Sequence, residues 1–536
     1  MKVDSDNISK KTTMKTTQQS TFDAIVIGSG IGGLTVAALL AKLQGKRVLV
    51  LEQHFKAGGF THEFERKGKF CWDVGLHYVG GMGKGNTAKA LFDYLTNGQL
   101  QWQKMPDVFE KFVYPDFSFE VKSDPNQFQA DLIQMFPKEE AGIRQYFRDV
   151  KKAAFWYIAH GMLELLPKPL LSLLKPAVRY FGAIARMRTQ QYLDQHFQDD
   201  RLKALLTSQW ADYGLPPSRS CFGIHSLIVT HYFQGGWYPV GGAGAIAQSI
   251  IPIIEQAGGA ILIQRRVTKI LLESGVAVGV KVQNAAHPEA ESEIYHAPII
   301  VSNAGAFNTY QNLIPQTYPI PARESIQQFP KGNTFVTLYL ALKESPKKLG
   351  FQGENHWIYR TYNHDRVTQS FPRFQFCYLS FPSLKNPFAK GHTAEVIAHI
   401  DYNSFSRWQN QPWRRRGNDY QEIKSQLTQS LIQFVEHYYP GFEELIEYTE
   451  LSTPLTIEHF NRSDRGAVYG IPCIPERLDQ NWVAAKTPIK NLYLTGADAL
   501  APGIMGAMMG GVKTAGLLQG SLGFFQIMAT ARRSQL

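Results

Sequence analysis

The chain has 536 residues, 44% of them hydrophobic and 19% charged, a globular composition too apolar for a disordered chain and too long for one compact core. Lys and Arg number 56 against 45 Asp and Glu, a net charge of +11 that suits an anionic substrate or surface and gives no ground for a nucleic-acid partner. Cys71, Cys221, Cys377 and Cys473 form no CxxC pair, which speaks against a metal site or a disulfide frame and for reduced thiols in a cytoplasmic compartment.

Residues 1–21 are polar and lack the apolar run of a secretory signal, so a disordered tail is expected. Phe22 to Ile27 then reads as a buried strand, and Gly28-Ser-Gly-Ile-Gly-Gly33 follows it. Gly28 permits the tight turn, Gly30 lets backbone approach a pyrophosphate, and Gly33 lets the helix Leu34–Leu43 pack on the strand. That helix points its N-terminus and unpaired amides at the phosphates. Val48–Leu51 is the second strand, and Glu52 at its tip is placed to accept hydrogen bonds from a ribose. Strand, glycines, helix, strand and acid in register specify a dinucleotide site far better than the glycines alone.

A second glycine pair, Gly58-Gly59, suggests that backbone passes close to a ligand again, and residues 60–83 read as a glycine-rich apolar loop containing His77 and Tyr78. Residues 138–200 read as helical. Between 151 and 190 lie seven basic residues and one acid, Glu164, interleaved with Phe155, Trp156, Leu170, Leu173 and others. This is either an interfacial helix for peripheral membrane contact or an ordinary helix pair with a solvated basic side. Gly242-Ala-Gly-Ala-Ile-Ala247 mimics a second dinucleotide turn, with Arg265 and Arg266 following, but Gly235-Gly-Trp-Tyr-Pro239 ahead of it makes a poor buried strand, and the motif is discarded. Ala243–Gln256 is a helix, Ala260–Val282 two strands around Ser274-Gly275, and Ile299–Ala304 a further strand. Thr334–Leu342, Phe374–Leu379 and Glu395–Ile400 alternate as an antiparallel sheet does. After a helix at Gln421–Tyr439, Asn491–Thr495 is a last buried strand, followed by Gly496-Ala-Asp498, a glycine-rich turn and a closing helix. No apolar run is long enough to span a membrane.

One nucleotide fold near the N-terminus and a strand-Gly-x-Asp unit near the C-terminus imply one long cofactor, which fits FAD better than NAD alone. Gly28–Gly33, Leu51-Glu-Gln-His-Phe-Lys-Ala-Gly-Gly59 and Leu494-Thr-Gly-Ala-Asp498 resemble the flavin-containing amine oxidase and phytoene desaturase superfamily. Asp73-Val-Gly-Leu-His-Tyr-Val-Gly80, His225–Tyr232, Tyr238-Pro-Val-Gly-Gly242, Val301-Ser-Asn-Ala-Gly305 and Ser452–Thr456 narrow the resemblance, over nearly the whole chain, to the retinol saturase family, near the carotenoid isomerases. The resemblance implies an α/β fold in which a Rossmann-like FAD-binding domain (22–90, 235–305 and 485–525) is interleaved with an α+β substrate domain (91–234 and 306–484) containing an antiparallel sheet. It implies FAD, with NAD or NADP as external electron carrier. Gly28, Gly30 and Gly33 would hold the pyrophosphate, Glu52 the ribose, and Lys56, Gly58 and Gly59 the far side of the cofactor. Val267 would meet the adenine through its backbone, Asp498 the ribityl or pyrophosphate, and a Met509-Gly510-Gly511 turn would pass under the flavin ring. The endoplasmic reticulum location of mammalian members is not expected here, since residues 1–21 carry no signal or anchor.

The reaction implied is transfer of a hydride equivalent between flavin and a conjugated polyene lipid, with a proton moving at the partner carbon. His77 and Tyr78 are the first candidates for the acid, His231 and Tyr232 the second. A desaturase, a cis–trans isomerase or an amine oxidase would keep the cofactor and change the outcome. A chaperone for lipid-modified GTPases shares the architecture but has no need of flavin, so the intact glycine, Glu52 and Asp498 set disfavours it.

Overall fold

The computed structural model describes residues 22–368 and 373–534; the expected disordered tail, residues 1–21, lies outside them. Leu492–Leu494, Ile300–Ser302, Ala24–Ile27, Val48–Leu51 and Ala260–Leu262 form, in that order, a five-stranded parallel sheet. Ala24–Ile27 and Val48–Leu51 are buried at every residue, which is why they read as continuous apolar runs, as in a sheet covered on both faces. Helices Ile31–Gln44, Gly244–Gln256 and Gly503–Gln519 pack on one face, through Leu34, Ile246, Ile250, Met508 and Val512. The other face carries Ile25, Ile27, Leu49 and Leu51 into a core shared with a three-stranded sheet, Arg265–Glu273, Val276–Asn284 and Glu293–His296.

Three expectations need correction. Ala260–Val282 holds three strands, because Gln264 turns back at φ +54° and splits Ala260–Leu262 from Arg265–Glu273. Residues 60–83 are not one loop: Glu63–Arg66 and Phe70–Asp73 pair as a hairpin across Lys67 and Gly68, both at positive φ. Met509, Gly510 and Gly511 do not form a turn but lie inside helix Gly503–Gln519.

A seven-stranded sheet runs Ile446–Ser452, Thr334–Leu342, His392–Ile400, Phe376–Ser380, Asn355–Tyr359, Val108–Val113, Ser118–Lys122. It is antiparallel except where Asn355–Tyr359 lies beside Val108–Val113. Strand alternation then divides its side chains. Val336, Leu338, Cys377, Leu379, Val396 and Ala398 enter a core with helix Gly417–Tyr438, while their neighbours Phe335, Thr337, Phe376, Tyr378 and Ile397 line a cavity. Helices Glu140–Gly161 and Phe222–His231 pack together beyond it.

Candidate functional site

The cavity has a volume of about 860 Å³ and is bounded by both sequence-distant halves of the chain. At its nucleotide end Gly28 turns at φ +92° and its amide donates to the Leu51 carbonyl at 2.8 Å. A Cβ on Gly30 would lie 2.9 Å from Asn303 Nδ2, and one on Gly59 would lie 2.8 Å from the Gly30 Cα. These glycines therefore keep the floor of the groove free of side chains. Glu52 is buried; its Oε2 accepts from the Ser29 amide at 2.8 Å and the Ser29 hydroxyl at 2.7 Å, and its Oε1 from the His54 amide at 2.8 Å. Ser29 Oγ in turn accepts from the Gly58 amide at 3.0 Å, so the acid locks the first glycine turn to the second. Val267, Arg265 and Arg266 line the same end, beside a register shift between Val267 and Lys269. Bulges of this kind re-aim backbone next to binding sites.

The C-terminal half closes the groove. Gly32 and Gly496 touch, since a Cβ on Gly32 would lie 2.5 Å from the Gly496 Cα. Asp498 is buried and lines the cavity. Its Oδ2 accepts from the Ala306 amide at 2.7 Å and its Oδ1 from the Ile471 amide at 2.8 Å, so one carboxylate ties two loops to the rim. Met505 and Met509 line the wall beside it.

Four residues read as cofactor contacts stand elsewhere. Gly33 is a packing glycine, as its spacing also suggested: a Cβ there would lie 2.1 Å from the Gly28 carbonyl oxygen. Gly510 and Gly511 press their helix onto the Gly496 and Gly32 carbonyls, at 2.2 and 2.7 Å from the Cβ each would carry, and neither borders the cavity. Lys56 turns outward and donates to the Glu63 carbonyl at 2.9 Å. The discarded Gly242–Ala247 motif opens a helix whose start is already taken: Gly244 donates its amide to Glu63 at 3.1 Å and Ala243 to Asp73 at 3.2 Å. Two carboxylates there leave no place for a phosphate.

His77, Tyr78, His231 and Tyr232 all reach the one cavity. His77 Nδ1 lies 2.8 Å from Glu395 Oε2 but out of hydrogen-bonding alignment, so both atoms keep an unused valence. Burial and the Lys385 charge push His77 down to about 3, so it is neutral at pH 7. His231 Nε2 accepts from the Gly80 amide at 2.8 Å and burial pushes the ring down to about 4, which marks a structural imidazole. Tyr78 and Tyr232 stack at 4.3 Å, and both phenols are raised by burial and by the Asp212 charge. Tyr78 donates to Asp212 Oδ2 at 2.7 Å.

Sequence reasoning missed Asn303 and Asp212, which line the cavity, and Lys385 and Glu395 beside His77, whose charges act on one another. Lys385 donates to the His77 carbonyl at 2.9 Å and to Ser380 Oγ at 2.7 Å. Glu395 shares strand parity with the cavity-facing Ile397, and an acid on the inward side of an alternating strand was a legible signal. Asp212 sits in a single turn, Trp210–Asp212, within the mixed run Thr207-Ser-Gln-Trp-Ala-Asp-Tyr-Gly214, and gave none. Among the described residues, no group of three or more His, Cys, Asp or Glu is placed to hold a metal ion.

A family profile described as an NAD(P)-binding Rossmann-like domain matches residues 26–95. The chain is 33% identical to all-trans-retinol 13,14-reductase of Danio rerio, across 96% of this chain and 88% of that protein. It is 27% identical to prolycopene isomerase 2 of an Oncidium hybrid cultivar, across 95% of this chain and 86% of that one. In fold it is similar to a putrescine oxidase structure, with a TM-score of 0.61 at 14% identity, covering 93% of this chain and 98% of that chain.

Proposed function

Because the chain belongs to the all-trans-retinol 13,14-reductase family, we propose that it is a flavin-dependent oxidoreductase that saturates a double bond of a retinol- or carotenoid-like polyene. The observation that carries this reading is the continuity of the cavity, which joins Glu52 and the glycine floor to a slot walled by Tyr78, Tyr232, Trp357, Phe376 and Tyr378. Its volume lies within the range of small-molecule and cofactor sites, about 300–1,000 Å³.

The residues present fit FAD. The side-chain-free floor at Gly28, Gly30, Gly58 and Gly59 leaves backbone for a pyrophosphate at the start of helix Ile31–Gln44. Glu52 would hold the ribose, the backbone at Val267 the adenine, and Asp498 the middle of the cofactor while keeping its loops in place. When bound, the flavin supplies the hydride equivalent and stores two electrons. The protein binds and orients the polyene between aromatic faces, keeps water from the slot, and provides a proton. NAD or NADP is the external electron carrier in this reading.

Helix Lys168–Phe181 supports a peripheral membrane role, by which an insoluble polyene would reach the slot. None of its described side chains is fully buried, and Leu173, Tyr180 and Phe181 are 75–79% exposed. Apolar groups left uncovered beside basic ones suit a bilayer surface. Among the described residues no helix is long and apolar enough to cross a membrane.

The isomerase reading stands second, favoured by the resemblance to prolycopene isomerase. Anaerobic incubation of the FAD-loaded protein with all-trans-retinol or a carotene, in parallel with and without dithionite or NADPH as electron donor, followed by product mass, separates the outcomes. A gain of two hydrogens is expected; no mass change with altered geometry would favour the isomerase, and loss of two hydrogens a desaturase. Purified protein that stays colourless after addition of FAD would overturn the flavoenzyme reading itself.

A further inference from the structure

Saturating one double bond of a conjugated polyene needs a proton as well as a hydride equivalent, and the histidines of the cavity are poor sources. His77 and His231 are both held neutral by burial, and His231 already spends Nε2 on the Gly80 amide. Asp212 differs in place and surroundings. It closes the turn Trp210–Asp212, borders the cavity, and receives the Tyr78 hydroxyl at 2.7 Å on Oδ2. Gln209 Nε2 donates to that same hydroxyl at 3.3 Å, which fixes the phenol with its proton toward the carboxyl. Helix Phe222–His231 brings Tyr232 to stack on Tyr78 at 4.3 Å and hold it from behind.

We propose that Asp212, positioned by Tyr78, is the acid that protonates the polyene; the assignment rests on the saturase reading above. The carboxyl O–H bond breaks as the π electron pair forms a new C–H bond at one alkene carbon. The neighbouring carbon, left electron-poor, takes the hydride equivalent, and Asp212 is reprotonated from solvent. The two electrons come from an external donor, dithionite in the assay. Flat aromatic faces around the slot favour the positive charge that develops on the polyene.

The electrostatics agree. Burial lifts Asp212 to about 7, against the Tyr78 hydrogen bond, which pulls it down. The titratable groups that feel its charge are Glu110, Tyr78, Tyr213, Tyr232, Tyr359, Tyr378 and Tyr469. None is a cation, so within that set only the Tyr78 hydrogen bond favours the ionised carboxyl.

The test pairs a spectrum of the flavin-free protein with turnover of all-trans-retinol. Apo wild type is expected to show a carboxylic-acid C=O band that fades as pH rises through about 7 and is missing from Asp212→Asn. In the loaded enzyme Asp212→Asn should still quench with retinol but turn over about 10²–10⁴-fold more slowly, with partial recovery in Asp212→Glu. Tyr78→Phe removes the hydrogen bond that favours the carboxylate, so the alkaline limb of the pH–rate profile should move upward. An unchanged infrared difference between wild type and Asp212→Asn would overturn the assignment, as would full turnover in that variant. If Asp212→Asn fails to fold, an unshifted profile in Tyr78→Phe overturns it instead. Wild type that leaves the retinol mass unchanged would sink the saturase reading, while the infrared arm still decides whether Asp212 holds a proton.

Discussion

Asp498→Asn tests the groove where one carboxylate ties two loops to its rim. In the wild type each carboxylate oxygen accepts one buried backbone amide, from Ala306 at 2.7 Å and Ile471 at 2.8 Å. The isosteric amide offers one oxygen and one NH₂, and the NH₂ faces an N–H with nothing to give it. One buried donor is left unsatisfied, at a cost of about 1–3 kcal/mol, and the loop that carries it leaves the rim. Charged to cofactor binding, that cost weakens FAD by roughly 5- to 150-fold, since about 1.4 kcal/mol is tenfold. At free FAD one hundred times the wild-type Kd, ligand stabilisation is about 2.7 kcal/mol, and a tenfold weaker variant keeps only about 1.4 kcal/mol. Quenching of flavin fluorescence on titrating apo protein gives the affinity, and melting with and without FAD gives the stabilisation. Asp498→Ala, which strands both amides, should do worse in each. FAD affinity within twofold of wild type in Asp498→Asn would refute the idea that this carboxylate ties the loops to a cofactor groove.

His77→Ala should slow polyene turnover while the protein stays yellow, because the side chain borders the cavity away from the glycine floor; unaltered kinetics would remove His77 from the reaction. Burial lifts Glu395 from 4.5 to about 8, with Lys385 opposing. The folded state therefore keeps a proton that the unfolded chain releases, and stability declines as pH climbs from about 4.5 to about 8. Glu395→Gln should flatten that decline in a series of melts, and an identical slope would show that Glu395 does not govern it. Leu173→Asp with Phe181→Asp should abolish flotation with phosphatidylserine-containing liposomes and leave flavin content alone; equal flotation would remove helix Lys168–Phe181 from membrane contact.

Strands Ala24–Ile27 and Val48–Leu51 of the parallel sheet were legible because they are apolar at every position, and the first glycine turn because Gly28, Gly30 and Gly33 mark steric necessities that no other residue meets. The cavity face of the seven-stranded sheet was half legible: alternation in Thr334–Leu342 separates Phe335 and Thr337 from Val336 and Leu338 without saying which side is the slot. Gly510 and Gly511 show the opposite limit, for a glycine that admits a cofactor and one that admits a helix look alike in one dimension. What local chemistry determined, then, was a dinucleotide turn, an acid at a strand tip and an oily interior. What only tertiary structure decided was the company each polar group keeps. Burial among apolar side chains lifts Asp212 to about 7, and Tyr78, far away in the chain, donates to it and holds that rise back. Burial and partner are properties of the folded contacts, and the run of residues around Asp212 carries neither.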